Sequence, residues 1–364
     1  RVEYTGFTGR AKKALMENRF NKNTKGSIGR SVGILFVLFI MILGCFFLMR
    51  KVSESAETTN RTKNGNTAVK KVVGIRKLPA GYGDEIAQSG ELHEIAYRSG
   101  ARVTAGRTVK RAMVYTPYGY DKNEKRKRYN VFYLMHGYGG NHQTFLGSKM
   151  SPRTFKNILD NMTAKGDIAP TIVVSMTYTG SAGYYASMDD LGTEAVKELA
   201  PIVESKYRTY ADRTDRAGLV KSRAHRAIGG FSMGGCSTWM ALKNNADCFK
   251  YYLPISMPMY YDDGGYVESL SLDCARRIAA GANAVRGGKK VYVFAASGNR
   301  DFMNKATKKQ AEDLTEYRGF KLSPGEFDKG NVIFHSWKGH RHSYKASFPY
   351  LYNGLIRFFG RAAA

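Results

Sequence analysis

Cysteine is scarce, with four in 364 residues, which leaves little scope for crosslinking. Cys45 sits in an apolar stretch, and Cys236, Cys248 and Cys274 make an odd number outside it. At most one disulfide can form among those three, leaving a thiol over. Metal-binding patterns are missing as well: there is no His-Glu-x-x-His, no cysteine pair at ligand spacing, and no acidic cluster beside the histidine pair His340 and His342. No metal or cofactor is expected. Acidic residues are few, 30 against 57 basic ones, for a formal charge of +27. Such a balance favours polyanions. Nucleic acid is the usual partner of so basic a chain, yet the best basic run, Lys125-Arg126-Lys127-Arg128, falls between two strand-like segments with no nucleic-acid-binding motif around it. A solvated loop and no nucleic-acid partner are expected. No internal repeat is present.

Two further absences divide the chain. From Val32 to Met49 no charged residue occurs, a length that suits a bilayer-spanning helix. Ahead of it stand Arg1, Arg10, Lys12, Lys13, Arg19, Lys22, Lys25 and Arg30 against Glu3 and Glu17, so the positive-inside rule keeps the amino end in the cytoplasm. A signal peptide cleaved on secretion is the alternative, but no A-x-A-like site follows. From Ser53 to Lys71 large apolar residues are nearly missing, so that stretch cannot order a core and reads as a tether. The expected organisation is a basic cytoplasmic tail over 1–30, a transmembrane anchor or signal segment over 31–49, a flexible linker over 50–84 and one folded domain over 85–364. The domain is then extracellular on a single-pass membrane protein, with the membrane as a partner.

Within the domain, apolar runs at Val109–Thr116, Val131–Met135, Thr171–Met176, Arg226–Phe231, Tyr251–Ser256, Val291–Ala296 and Asn331–Trp337 read as strands. They alternate with helical patterns at Thr193–Tyr207, Met233–Asn244, Asn304–Arg318 and Ser347–Phe359. Alternation of this kind predicts an α/β fold, a mostly parallel central sheet flanked by helices on both faces.

The most informative residues are Gly230-Phe231-Ser232-Met233-Gly234. They place a serine between glycines after a strand and before a helix, the G-x-S-x-G nucleophile elbow of the α/β-hydrolase fold. The glycines remove side chains that would collide with elements packed behind a sharp turn. The turn also leaves the Met233 N–H at a helix start, able to donate to a developing oxyanion. A serine nucleophile needs an imidazole base and a carboxylate to orient it, here in the order Ser, Asp, His. Asp301 follows a strand in the loop Ser297-Gly298-Asn299-Arg300-Asp301, at the carboxyl end of the sheet. Asp262, Asp263 and Asp273 compete with it, but each reads more simply as a solvated loop or helix-start residue. His335 falls inside the last strand and reads as structural, whereas His340 and His342 both reach the loop beyond. Spacing alone does not separate them. The second half of an oxyanion hole is expected from His136-Gly137-Tyr138-Gly139-Gly140, where the N–H of Gly137 or of Tyr138 donates.

From about Gly90 to Arg361 the chain resembles the feruloyl (cinnamoyl) esterases of carbohydrate esterase family one, the domains attached to bacterial xylanases. The resemblance runs through Ala112–Tyr120, Tyr133–Gly137, Pro201–Tyr207, Gly229–Gly235, Phe294–Asp301 and the tail from His342 to Phe359. It implies a nucleophile at Ser232, an orienting carboxylate at Asp301 and a base at His342, the distance from His342 to Arg357-Phe358-Phe359 fitting the family's last helix better than a count from His340. It implies hydrolysis of hydroxycinnamoyl esters on arabinoxylan-type polysaccharide. Acetyl-xylan or other short-acyl esterase activity, or acyl transfer by the same three residues, is the alternative. A non-catalytic wall-binding protein on a hydrolase scaffold is a further reading, opposed by the intact Ser, Asp and His order. The chain departs from the family at Tyr138, where more glycine is common, and at Met257-Pro258-Met259-Tyr260-Tyr261, where a tryptophan-bearing loop is expected. Tyr260 and Tyr261 there are candidate substrate contacts able to stack on a phenolic ring.

Overall fold

The computed structural model describes residues 75–100, 108–178, 184–260, 267–285, 287–288 and 290–360. The basic tail, the apolar segment and the chain up to residue 74 lie outside the described residues, as do Tyr261, Asp262 and Asp263. Among the described residues no helix is long and apolar enough to cross a membrane.

The strands are β1 (Glu91–Ser99), β2 (Thr108–Thr116), β3 (Asn130–Met135), β4 (Gly147–Ser148), β5 (Ser151–Pro152), β6 (Thr171–Met176), β7 (Arg226–Phe231), β8 (Tyr251–Ile255), β9 (Tyr292–Gly298) and β10 (Val332–Trp337). Apart from the short ribbon β4-β5, they form one sheet in the order β1-β2-β6-β3-β7-β8-β9-β10. The pairs from β6 to β10 are parallel, and only β1 with β2 and β2 with β6 run antiparallel. This is the expected mostly parallel sheet of an α/β-hydrolase. β3, β6 and β7 are buried along their whole length, which is why they read as continuous apolar runs: helices cover both of their faces.

One face packs Tyr133, Val174 and Ile228 against a core that includes Val196, Leu199, Trp239, Met240, Ile278 and Leu314. Those residues come from the segment Ala195–Leu199 and from helices Met233–Asn245, Ser271–Asn283 and Asn304–Leu314. The opposite face packs Phe132 and Leu134 against Phe155, Ile158, Tyr350, Leu351 and Leu355, from helices Thr154–Ala164 and Tyr344–Phe359.

Several elements differ from the sequence reading. The helix expected at Thr193–Tyr207 starts at Tyr184 and runs through a π turn at Ala195–Leu199 into Ala200–Lys206. Pro201 has no N–H to give to the turn before it, so the ladder is rearranged there. Helices Thr154–Ala164, Arg216–Lys221 and Ser271–Asn283 and strand β1 were not expected. β1 buries Leu92 on one face and Ile95 and Tyr97 on the other, so no single face of this edge strand shows a sustained apolar period. The domain also begins earlier than residue 85. The Arg76 N–H donates to Asn353 Oδ1 at 2.8 Å, Asn353 Nδ2 returns a bond to the Arg76 carbonyl at 2.7 Å, and buried Tyr82 donates to Asp167 at 2.7 Å. The end of the expected linker is thus part of the folded unit.

Candidate active site

Ser232 follows β7 and precedes the helix Met233–Asn245, with φ 56° and ψ −119°. A non-glycine residue there costs about 1–3 kcal/mol and persists only where its surroundings over-determine it. They do: the Ser232 N–H donates to the Ile255 carbonyl at 2.9 Å, and the helix behind it buries Cys236, Trp239, Met240 and Leu242. The flanking glycines answer to close backbone approach. A Cβ on Gly230 would lie 2.5 Å from the Met135 carbonyl oxygen, and one on Gly234 would lie 2.3 Å from the same atom. Strand β3 therefore passes so near the elbow that no side chain fits at either position.

His342 and Asp301 converge on this serine. His342 Nε2 is 3.0 Å from Ser232 Oγ, and His342 Nδ1 is 2.9 Å from Asp301 Oδ1. A carboxylate can only accept, so Nδ1 carries the proton and Nε2 is left to accept from the serine hydroxyl. Asp301 is 5% exposed, and its Oδ1 also accepts from the Met303 N–H at 2.8 Å. The loops after β9 and β10 are stitched together by Asn299 N–H to Trp337 O (2.9 Å), Arg300 N–H to His340 O (3.0 Å) and Gly339 N–H to Asn299 Oδ1 (2.7 Å). A Cβ on Gly298 would stand 2.2 Å from the His340 carbonyl oxygen. That contact is what lets the two loops touch and delivers Asp301 to His342. Rings of Phe231 and Phe302 lie against the imidazole at 4.6 and 4.4 Å between centroids.

The competing residues go elsewhere. His340 Nδ1 is 3.0 Å from the Tyr350 hydroxyl. His335 packs edge-on against Trp337 at 4.1 Å, and burial holds its pKa below the usual histidine value. Asp273 pairs with Arg276 at 2.7 Å in the first turn of its helix, as a helix-start residue.

The glycine-rich turn after β3 abuts the elbow. His136 is 3% exposed, with Nδ1 2.6 Å from the Gly137 carbonyl and Nε2 3.1 Å from Thr177 Oγ1. Burial pushes its pKa down to about 4, so a neutral ring donates from Nδ1 and holds the turn. A Cβ on Gly140 would meet the His136 ring at 2.8 Å. Met233 opens its helix, so its N–H has no intrahelical acceptor. The Gly137 N–H donates to the Tyr344 hydroxyl at 2.8 Å. Tyr138 stands 69% exposed on the same turn. Tyr344 was not singled out from the sequence; its one signal was its place two residues beyond His342, at the start of the last helix. Phe302 and Met303 were missed as well, since nothing in a run of loop residues marks which ones turn back onto an imidazole.

Tyr260 is half-buried against the core, with its N–H directed to Cys236 Sγ at 3.3 Å, and Met257 Sδ lies 3.9 Å from Ser232 Oγ. Cys236, Cys248 and Cys274 are all buried, and none of them is in a disulfide. Lys125–Arg128 is exposed, as expected of a solvated loop.

Residues 106–350 match the esterase family described as "Putative esterase". The chain belongs to that family. Endo-1,4-beta-xylanase Y of Acetivibrio thermocellus is 34% identical to the esterase over 288 residues, covering 79% of this chain and 25% of that protein. An endo-1,4-beta-xylanase/feruloyl esterase of Xylanibacter ruminicola is 31% identical over 176 residues, covering 45% and 22%. The chain therefore spans about a quarter of the length of these curated relatives. The feruloyl esterase module of Clostridium thermocellum, solved with sinapinate, is 32% identical, with a TM-score of 0.68 over 81% of this chain and 96% of that one. A ferulic acid esterase of Anaeromyces mucronatus, 20% identical with a TM-score of 0.55, shares the fold. By these comparisons the chain is similar to feruloyl esterase modules.

Proposed function

We propose that the esterase hydrolyses hydroxycinnamoyl esters, such as feruloyl groups on arabinose-decorated xylan, with Ser232 as nucleophile, His342 as base and Asp301 as its orienting carboxylate. The observation that carries this reading is the hydrogen-bonded line from Asp301 through His342 to Ser232 on the strained turn. Ser232 Oγ attacks the ester carbonyl as its proton passes to His342 Nε2. Asp301 stabilises the imidazolium through Nδ1–H. The tetrahedral intermediate places its oxygen at the Met233 N–H and the Gly137-Tyr138 turn. His342 then gives its proton to the departing sugar oxygen as the carbon–oxygen bond breaks, leaving an acyl-serine. Water, deprotonated by the same imidazole, releases the acid and restores Ser232.

The substrate class is supported by the xylanase context of the curated relatives and by the sinapinate-bound module. The exposed ring of Phe302 lies 4.4 Å from the imidazole, and Tyr138 is exposed on the turn after β3; a phenolic acyl group can stack on such rings. Tyr260 and Tyr261 remain candidate contacts. The chain should be assayed on a feruloylated arabino-oligosaccharide, acetylated xylan and a short-chain aryl ester. Preference for the feruloyl substrate is the expected result; faster turnover of acetylated xylan would reassign the enzyme as an acetyl esterase, and transfer to added sugar in place of water would make it an acyltransferase.

The site of action follows from the amino-terminal segment. An uncharged Val32–Met49 run behind a basic tail supports a single-pass anchor with the esterase outside, and the high positive charge suits anionic wall polymers. Protease added to intact cells should release active esterase from its tether. Protection of the domain until lysis would rule this topology out.

A further inference from the structure

Among the candidate oxyanion donors Met233, Gly137 and Tyr138, the Gly137 N–H is already taken up by a phenol. The Gly137 N–H donates to the Tyr344 hydroxyl at 2.8 Å. The point where a Cβ would stand on Gly137 is 3.0 Å from Ser232 Cβ and 3.2 Å from the Tyr344 hydroxyl, so this hydroxyl and the serine side chain face one another across a glycine's empty side. The ring is held by Phe145 and Phe231, at 5.2 and 5.0 Å between centroids, and by its place in the first turn of the helix Tyr344–Phe359, capped by Ser343 through the Ala346 N–H at 3.2 Å. Burial raises the Tyr344 pKa above the ordinary tyrosine value, so the phenol keeps its proton at neutral pH.

We propose that Tyr344 is a catalytic residue whose O–H donates to the tetrahedral oxyanion, taking the place of the Gly137 N–H beside the Met233 N–H. The backbone N–H is relayed: it donates into the phenol oxygen, and accepting that bond makes the phenol a stronger donor in turn. A hydroxyl fixed by packed rings and a backbone bond costs little reorganisation as charge develops, the condition under which a donor lowers the barrier most. The acceptor is the carbonyl oxygen of the ester, whatever acyl group is attached, so the assignment rests on Ser232 as nucleophile but not on the feruloyl specificity.

The test is Tyr344→Phe in the full chain, which keeps the ring and its contacts and removes only the hydroxyl. Loss of one oxyanion donor should lower kcat by about a hundredfold, and at least about tenfold, with KM changed by no more than about twofold. Affinity for a trifluoromethyl ketone, which forms an oxyanion on the serine, should fall in parallel, while the thermal melt stays unchanged. If the phenol merely plugs the site, its removal frees the Gly137 N–H, and kcat stays within a few-fold of the parent or rises; that outcome overturns the proposal. Ser232→Ala is measured beside it. Turnover surviving in Ser232→Ala would sink the nucleophile assignment, whereas a dead Ser232→Ala with a fully active Tyr344→Phe would sink the Tyr344 role alone.

Discussion

The imidazole of His340 is bonded to the hydroxyl of Tyr350 at 3.0 Å. Tyr350 is 1% exposed and belongs to the core beneath the last helix. The bond turns His340 inward, while His342, two residues on, reaches Ser232 and Asp301. Two histidines alike in sequence context thus have different work. His342→Ala should lower kcat by at least about a thousandfold, because nothing else can take the serine proton. His340→Ala should cost stability more than turnover, about 1 kcal/mol from the Tyr350 hydroxyl left without its partner. Steady-state kinetics with thermal melts separate the two, and the reverse ranking would move the base to His340.

Ser232→Ala should abolish ester hydrolysis and labelling by a fluorophosphonate. The fold should persist, because alanine keeps the Cβ and leaves the backbone turn as it is. Near-parental turnover in this variant would remove the proposed mechanism altogether.

Gly234→Ala tests the elbow's steric argument. A Cβ there would lie 2.3 Å from the Met135 carbonyl oxygen and 3.1 Å from that of His136, so the turn and the glycine-rich loop must move apart. Activity should fall by more than about a hundredfold, since shifts of about 1 Å in reacting groups cost that much. A variant that keeps its activity would show that β3 can yield at no cost to the site.

His136 makes the esterase acid-sensitive in a defined window. Its pKa is about 4 in the fold against 6.5 unexposed to the protein environment. Between those values the unfolded chain binds the proton and the native state does not, so stability rises with pH through the window. The contribution is fully present above about pH 6.5 and is lost as pH falls toward 4. The gap corresponds to about 3 kcal/mol. Denaturant melts at pH 7 and pH 4.5 should show a smaller loss for His136→Asn than for the parent chain. Equal losses would place the acid sensitivity elsewhere.

At the far end of the strand that carries Ser232, Arg226 and Glu204 form a buried two-pronged pair at 2.6 and 2.7 Å, with Tyr133 donating to the same carboxylate at 3.0 Å. Glu204→Gln leaves the guanidinium buried with a neutral partner, and should cost about 3–5 kcal/mol. The folded fraction should keep the parent's kcat, because the pair lies at the opposite end of β7 from the serine. A loss of kcat without a loss of melting temperature would contradict this purely structural role.

Much of this was legible in the residues themselves. The strands β3 and β6 to β10 that build the parallel part of the sheet announced themselves because strands covered on both faces are largely apolar. The elbow was legible because backbone crowding admits only glycine at 230 and 234, and a constraint of that kind leaves its mark in a handful of adjacent letters. Asp301 was legible because sheet order puts the loops after successive parallel strands at one end. What the residues did not show was contact between segments far apart in the chain. β1 was hidden by serving two faces; the helices Thr154–Ala164 and Ser271–Asn283 were missed although each buries one apolar face, through Phe155, Ile158, Leu159 and Met162 in the first and Cys274, Ala275, Ile278 and Ala282 in the second. The choice between His340 and His342 rested on likeness to a family until the stitched loops and Tyr350 separated them. The Tyr344 hydroxyl meets the Gly137 N–H across 207 residues of sequence, and no local pattern encodes such a meeting. Steric need at one turn is written in the adjacent residues; the partner of a hydrogen bond is decided only when packed elements bring two distant side chains to the same point.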